Sequence, residues 1–345
     1  MVMMHPPKLI AFVSGGIGDQ LYHFTQMRAL AGITETNTID VGCIHAPMMR
    51  RIAAGCDWLG QVIDISPLRR LAAPRGVLAI TNQLRQTGYS DAWFMHKSSN
   101  FKLAAWLAGI SGLHGLSATS YDKWFLTTPV ALEGGGRKRT KWGHRPFIAA
   151  LDDSLSARGL ELDEQTPTIR ALPEWQEKVL PHLAHLPRPF VVANLFASDP
   201  ARIWPIEHAV ITLKMVLKRF GGSIILNTGP DAQIYHEQLC RELIEAGTTD
   251  RIVDTNTLWH GIEEDIALYH IANAYLGVDS FSANLAMNCN LDAAVLFRSE
   301  GDALDYRGRN TPLVPVGLAS EHAEHSLTDI SCDQIISSLA TLLEP

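Results

Sequence analysis

The chain has 345 residues, 46% of them hydrophobic and 19% charged, with a formal net charge of -7. That length exceeds one ordinary core and predicts two domains of about 150 to 170 residues each. The composition excludes a disordered chain, and the acidic balance excludes a general polyanion trap, so no nucleic-acid partner is expected. Five cysteines, Cys43, Cys56, Cys240, Cys289 and Cys332, lie far apart. They predict neither a disulfide framework nor a zinc site, and they fit a reducing cytoplasm. No apolar run approaches the ~20 residues of a membrane span, and no apolar leader core precedes the first strand. The expectation is a soluble cytoplasmic protein with at most peripheral membrane contact.

In chain order, the apolar run Leu9 to Val13 reads as a strand, followed by the turn Ser14-Gly15-Gly16-Ile17-Gly18-Asp19-Gln20 and a helix from Leu21 to Ala31. Thr38 to Ile44 predicts a strand, Pro47 to Ala54 a short helix, and Val62 to Ile65 and Gly76 to Ile80 two further strands. Tyr89 to Met95 follows as a strand, and Lys102 to Ala108 as a helix with Leu103, Trp106 and Leu107 on one face. Residues 132 to 190 are rich in Gly, Pro and charge, with helices near 145–159 and 174–185. The basic stretch Arg137-Lys138-Arg139-Thr140-Lys141 reads either as a solvated loop or as a contact for an anionic acceptor or membrane surface. The domain boundary is expected around 165–188.

The second half restarts the pattern. Strands are predicted at Phe190 to Leu195, Ser223 to Thr228, Ile252 to Asp254, Ala274 to Val278 and Ala293 to Phe297, with helices from Ile206 to Phe220, through Glu245, from Glu263 to Ala274 and from Ser282. Gly221-Gly222 closes the first of these helices. A last helix, Cys332 to Leu343, is expected to pack back across the domains. Strands alternating with helices imply mostly parallel sheets. The fold class is therefore α/β, with an amino-terminal domain over 1–170, a second over 185–330, and the helix in 331–345.

Four constellations carry candidate chemistry. In open α/β sheets ligands bind outside the carboxyl ends of the strands, so Asp19 in the first turn would project into a binding crevice. It reads as a helix cap or as a general base. The turn does not fit the dinucleotide fingerprint, because Leu21 stands where the third glycine belongs. Arg202-Ile203-Trp204-Pro205 precedes a helix, where the guanidinium is either a surface charge or a phosphate ligand. Gly229-Pro230-Asp231 is a plain turn or sets Asp231 against a ribose. Asp279-Ser280-Phe281-Ser282-Ala283-Asn284 ends a strand and opens a helix, presenting a carboxylate, hydroxyls and free amides. His96 and Lys97, at a strand end in the first half, are capping residues or acceptor contacts.

Together these segments resemble glycosyltransferase family 9, the ADP-heptose:lipopolysaccharide heptosyltransferases, over roughly residues 8 to 342. Gly15-Gly16-Ile17-Gly18-Asp19 looks like the family's opening motif, and the resemblance makes Asp19 the catalytic base, with Gly16, Gly18, Gln20, His96 and Lys97 on the acceptor side. Arg202-Ile203-Trp204-Pro205 is similar to the basic-x-Trp-Pro motif that meets the donor diphosphate. Gly229-Pro230-Asp231 matches the turn at the nucleoside, and Asp279-Ser280 begins the Asp-Ser-Gly-x-x-His segment at the nucleotide site, assigning Asp279, Ser280, Ser282 and Asn284 to donor binding. Phe281 and Asn284 replace the glycine and the histidine of that segment. The opening turn also resembles the start of bacterial α-1,2-fucosyltransferases, but no His-x-Arg-x-Gly-Asp segment accompanies it.

The resemblance implies a GT-B fold, two Rossmann-like domains with mostly parallel sheets facing across a cleft, and an inverting transfer. The donor is a nucleotide-diphosphate sugar, with ADP-heptose the family's own. The acceptor is a glycan, a lipid-linked saccharide such as a lipopolysaccharide core, or a protein. No cofactor and no metal are expected, since the chain contains no Asp-x-Asp to hold a divalent ion between phosphates. Two other readings stay open: a noncatalytic nucleotide-sugar-binding protein, motivated by Phe281 and Asn284, and a nucleotide-sugar epimerase.

Overall fold

The computed structural model describes residues 7–70, 73–117, 119–131, 147–247, 249–303, 306, 310–313 and 326–344. The basic stretch 137–141 and the glycines before it lie outside the described residues. The chain divides into two compact units, Met1–Glu164 and Gln165–Pro345.

Unit one holds β1 (Leu9–Phe12), β2 (Ile39–Cys43), β3 (Leu59–Asp64), β4 (Asp91–Phe94), β5 (Gly112–Ser117) and β6 (Thr128–Ala131). They form one sheet in the order β3-β2-β1-β4-β5-β6, and every pairing is parallel. Unit two holds β7 (Phe190–Asn194), β8 (Ser223–Leu226), β9 (Ile252–Asp254), β10 (Ala274–Val278), β11 (Ala293–Leu296) and β12 (Asn310–Leu313). Their order, β12-β11-β10-β7-β8-β9, is the same winding, again all parallel. Each unit thus has the doubly wound Rossmann order, whose direction reverses between its first and fourth strands.

The central strands form where the sequence is continuously apolar. Every residue of β1, β7, β8, β10 and β11 is buried, as expected for parallel strands covered on both faces. In unit one the core joins Ile10, Phe12, Ile63, Ile80, Leu84, Phe94 and Phe101, with Phe12 stacked on Phe94 at 5.2 Å. In unit two Trp204, Leu213, Leu226, Leu276, Leu296, Ile335 and Leu339 belong to one cluster. Each fully buried aliphatic side chain contributes about 1.5–3 kcal/mol relative to exposure.

Several expectations need correction. Gly76 to Ile80 is not a strand; it lies inside the helix Ala73–Thr87, where Val77, Ile80 and Leu84 are buried at helical spacing. The opening helix begins earlier than expected, at Ile17, and breaks at Tyr22 and His23 before Phe24–Ala31. Strands β5, β6 and β12 are additions to the sequence reading. The carboxyl-terminal helix, Cys332–Leu343, contributes Ile335 and Leu339 to the unit-two core, alongside the helix Ile206–Phe220. No helix among the described residues is long and apolar enough to cross a membrane.

Candidate functional site

In unit one the reversal point lies between β1 and β4, whose paired ends are Phe12 and Phe94. The chain leaves β1 through Val13 and Ser14 into the glycine turn. Gly15 has φ +107°, and a Cβ there would lie 2.4 Å from Asp19 Oδ2, so only glycine fits. The turn feeds the helix Ile17–Leu21, with Gly16 at the cap. Asp19, at the third helical position, accepts from the Gly16 N–H through Oδ2 at 2.8 Å. It is therefore not the cap itself, and its exposed carboxylate stands at the helix start beside the strand ends.

The other turn residues behave differently. Gly16 is exposed and Gly18 is half-buried within the helix. Gln20 is fully buried, and its amide nitrogen donates to the Gly15 carbonyl at 3.4 Å. It shapes the turn rather than presenting itself to solvent. His23 is also inside, with Nδ1 2.7 Å from Gln26 Oε1.

At the end of β4, His96 and Lys97 are both half-buried. Burial lowers the His96 pKa, and the charges of Arg69, Lys102 and Lys97 push the same way, while Asp19 pulls it up. The imidazole is accordingly neutral near neutral pH, in the field of the Asp19 carboxylate. Arg69, absent from the sequence reading, donates through Nη2 to Ser14 Oγ at 2.9 Å. Its position four residues beyond Ile65, after β3, was the signal: a basic residue following a strand's carboxyl end. The turn after β1 thus gathers one carboxylate, one imidazole and at least two cationic side chains.

In unit two the reversal lies between β7 and β10. Arg202 sits in the 3-10 turn Pro200–Arg202, which Asp199 caps by accepting from Ala201 N at 3.0 Å. Asp279 follows β10. Arg202 Nη1 donates to Asp279 Oδ2 at 2.7 Å and to its carbonyl at 3.1 Å. Arg202 Nε lies 3.7 Å from Asp199 Oδ2. Tyr306 donates to Asp279 Oδ1 at 2.5 Å. Burial works against the guanidinium charge, but Asp279, with Asp199 and Tyr306 adding to it, raises the Arg202 pKa overall. Trp204 is fully buried, its backbone N–H bonded to the Leu195 carbonyl at 3.0 Å, and this anchors the turn carrying Arg202.

Ser280 is the backbone cap of the helix Phe281–Asn288, without a side-chain cap bond. The first-turn amides of such a helix have no acceptor within it and attract anions. Ser282 is buried and accepts from Asn194 Nδ2 at 2.6 Å, tying that helix to the end of β7. Asn284 is 2% exposed and donates through Nδ2 to the Ser280 carbonyl at 3.1 Å. Both side chains thus brace the helix start, and Phe281 is half-buried. Asn194, a polar residue closing an apolar strand, is a further site residue that the sequence reading missed. Tyr306 carries no comparable signal.

Asp231 is exposed on the 3-10 turn Pro230–Ala232 after β8, the strand beside β7. Behind that turn Thr228 Oγ1 lies 2.8 Å from His236 Nδ1, and His236 Nε2 lies 2.8 Å from Asp254 Oδ1. Burial, reinforced by Asp254, pushes the nearby Cys240 thiol up to about 11.

Each unit therefore places polar candidates at the reversal point of a Rossmann-like sheet, with Asp231 one strand away in unit two, and the class is that of a GT-B fold. No protein-family model matches the sequence, and no curated protein sequence matches it. Solved structures do. A glycosyl transferase family 9 protein from Veillonella parvula is 13% identical, with a TM-score of 0.76 over 98% of this chain and 97% of that one. The ADP-heptose LPS heptosyltransferase II of E. coli is 17% identical, with a TM-score of 0.69 over 97% and 98%. The E. coli heptosyltransferase WaaC with ADP is 14% identical, with a TM-score of 0.68 over 96% and 99%. At such identities the likeness establishes the fold.

Proposed function

We propose that the chain is an inverting, metal-independent glycosyltransferase that moves a sugar from a nucleotide-diphosphate donor to an acceptor hydroxyl. The carrying observation is the Arg202–Asp279 pair at the unit-two reversal point. Asp279 holds the guanidinium through Nη1, Asp199 lies 3.7 Å from Nε, and Nη2 makes no hydrogen bond among the described residues. That nitrogen and the amides opening Phe281–Asn288 are arranged for a diphosphate. In the transfer, the bond from the sugar's anomeric carbon to the diphosphate oxygen breaks. The diphosphate leaves with the electron pair, and these preorganised donors stabilise its charge. The acceptor oxygen attacks the opposite face of the sugar and gives its proton to Asp19.

ADP-heptose is the first donor to try, because the similar E. coli structures are heptosyltransferases and one of them is with ADP. The acceptor class is a glycan or lipopolysaccharide-type saccharide, with His96, Lys97 and Arg69 beside the attacking hydroxyl. The absence of an Asp-x-Asp in the chain supports transfer without a metal.

A panel of nucleotide-diphosphate sugars, with and without saccharide acceptors, tests this reading. Acceptor-dependent release of nucleoside diphosphate is the expected result. Donor binding without release would instead identify a noncatalytic binding protein. A changed sugar in the absence of acceptor would identify an epimerase.

A further inference from the structure

On the β8–β9 side of unit two, three side chains with no part in the proposed transfer converge. His236 and Cys240 lie one turn apart on the helix Gln233–Glu245, and Asp254 ends β9. One ligand atom from each lies within 4.8 Å of the other two. His236 Nε2 is 2.8 Å from Asp254 Oδ1 and 3.5 Å from Cys240 Sγ. We propose that His236, Cys240 and Asp254 bind one divalent ion of the zinc and cobalt class, with solvent completing the coordination.

Ideal bond lengths of about 2.0–2.1 Å for nitrogen or oxygen and 2.3 Å for sulfur give tetrahedral edges of roughly 3.4–3.6 Å. The imidazole–thiol separation already has that length. The imidazole–carboxylate separation must open by roughly 0.5 Å to reach it, through a small turn of the Asp254 carboxylate, which is 27% exposed and also accepts the Asn256 N–H through Oδ1 at 2.9 Å. A thiol and an imidazole beside a single carboxylate disfavour calcium and magnesium, which take oxygen ligands.

The ring is also held from behind. His236 is 4% exposed, and its Nδ1 lies 2.8 Å from Thr228 Oγ1, which accepts from Asn256 Nδ2 at 3.0 Å. Such an outer bond sets which nitrogen faces a metal. Without the ion, Nε2–H donates to Asp254 while Nδ1 accepts from the Thr228 hydroxyl. With it, the ring hydrogen moves to Nδ1 and donates to Thr228, whose oxygen accepts two bonds. Cys240 loses its thiol proton to solvent, so that one thiolate and one carboxylate balance the ion's charge. Thr228 directly precedes Gly229-Pro230-Asp231, and the ion would tether the helix and β9 behind that turn. The role is structural and separate from sugar transfer.

The test strips the full-length protein with a chelator and titrates it with Co2+ and then Zn2+. One equivalent is expected, with a thiolate-to-cobalt charge-transfer absorption and a rise in Tm. Cys240→Ser should abolish the absorption, although four other cysteines remain. Thr228→Val, which removes no ligand, should weaken binding roughly 10- to 100-fold. Circular dichroism and Tm without metal establish that each variant is folded, and Asp254→Asn replaces any variant that is not. Failure of the native protein to take up metal overturns the proposal, as does undiminished affinity in folded Cys240→Ser.

Discussion

Arg202 and Asp279, separated by 77 positions in sequence, meet side chain to side chain at 2.7 Å where the unit-two sheet reverses. One residue follows β7 and the other follows β10, and these strands pair in parallel with Gly277 opposite Asn194. The winding of the sheet is what turns two weak sequence motifs into one site. Removing the guanidinium should therefore damage transfer more than folding. Arg202→Ala is expected to lower turnover roughly 10²- to 10³-fold, the range for loss of a preorganised charge-stabilising donor. Arg202→Lys should recover little, because an ammonium cannot contact Asp279 and phosphate in the same fixed fork. Steady-state kinetics with the best donor from the panel decide the point; equal turnover in all three proteins removes Arg202 from the reaction.

Asp19 has a local role, accepting the Gly16 N–H, and a proposed chemical one. Asp19→Asn separates them, since an amide oxygen still accepts that bond. Stability should change by less than about 1 kcal/mol, within the scale of capping effects. Turnover should fall roughly 10²- to 10⁴-fold, as for loss of a general base. Donor affinity should be unchanged by calorimetry. Full activity in this variant would show that the carboxylate only accepts the Gly16 N–H.

The glycine turn is predicted to be sensitive at one glycine and tolerant at another. At Gly15 an added methyl group would collide with Asp19 and require φ +107° of an alanine. Gly15→Ala should cost about 1–3 kcal/mol in denaturant unfolding and depress turnover with it. At Gly229, where φ is -73° and a Cβ meets nothing within 4 Å, alanine should be neutral for stability.

Lys102 and Asp122 form an ion pair at 3.1 Å with both side chains fully buried. Ser99 Oγ donates to the same carboxylate at 2.9 Å. Lys102→Met removes the cation facing a buried carboxylate, and a loss of about 3–5 kcal/mol is expected from urea unfolding. A loss below about 1 kcal/mol, the surface ion-pair range, would mean that solvent reaches the pair.

Acid should destabilise the fold through its histidines. Burial lowers the pKa of His96, His114 and His270 from the ordinary value of 6.5. His114 is thus neutral near neutral pH, and its 3.1 Å contact with Asp91 is a hydrogen bond rather than an ion pair. Between each lowered value and 6.5, the unfolded chain binds more protons than the native one. Stability therefore rises with pH through that window and is lost as the pH falls through it. Thermal unfolding across the window should show the slope. His270→Gln should flatten it, because burial lowers the His270 pKa against the bond that its Nε2–H donates to the Ile169 carbonyl at 2.9 Å.

Much of the architecture was legible because parallel strands buried on both faces must be continuously apolar. The limits of Ile206–Phe220, Ile252–Asp254, Ala274–Val278 and Cys332–Leu343 were all read directly from the chain. The strands that escaped were less uniform. β6 and β12 are edge strands containing Pro129 and Pro312, tolerated there because an edge leaves one side of the ladder unpaired. β5 carries Gly115 at φ +123°, where a Cβ would lie 2.3 Å from the Phe94 carbonyl, so close backbone approach replaced the apolar pattern. Gly76 to Ile80 misled for the opposite reason: its apolar residues satisfy either period, and only the flanking Leu84 completes the helical face.

The amino-acid sequence alone determined the two-unit α/β plan and the turns that carry Asp19, Arg202, Asp231 and Asp279, because backbone freedom and apolar burial are local demands. Only the tertiary structure decided which of those side chains meet. It paired Arg202 with Asp279, turned Gln20, Ser282 and Asn284 inward, and brought Arg69 to Ser14. Such contacts depend on strand order and on which face each side chain takes, and spacing along a chain does not specify either.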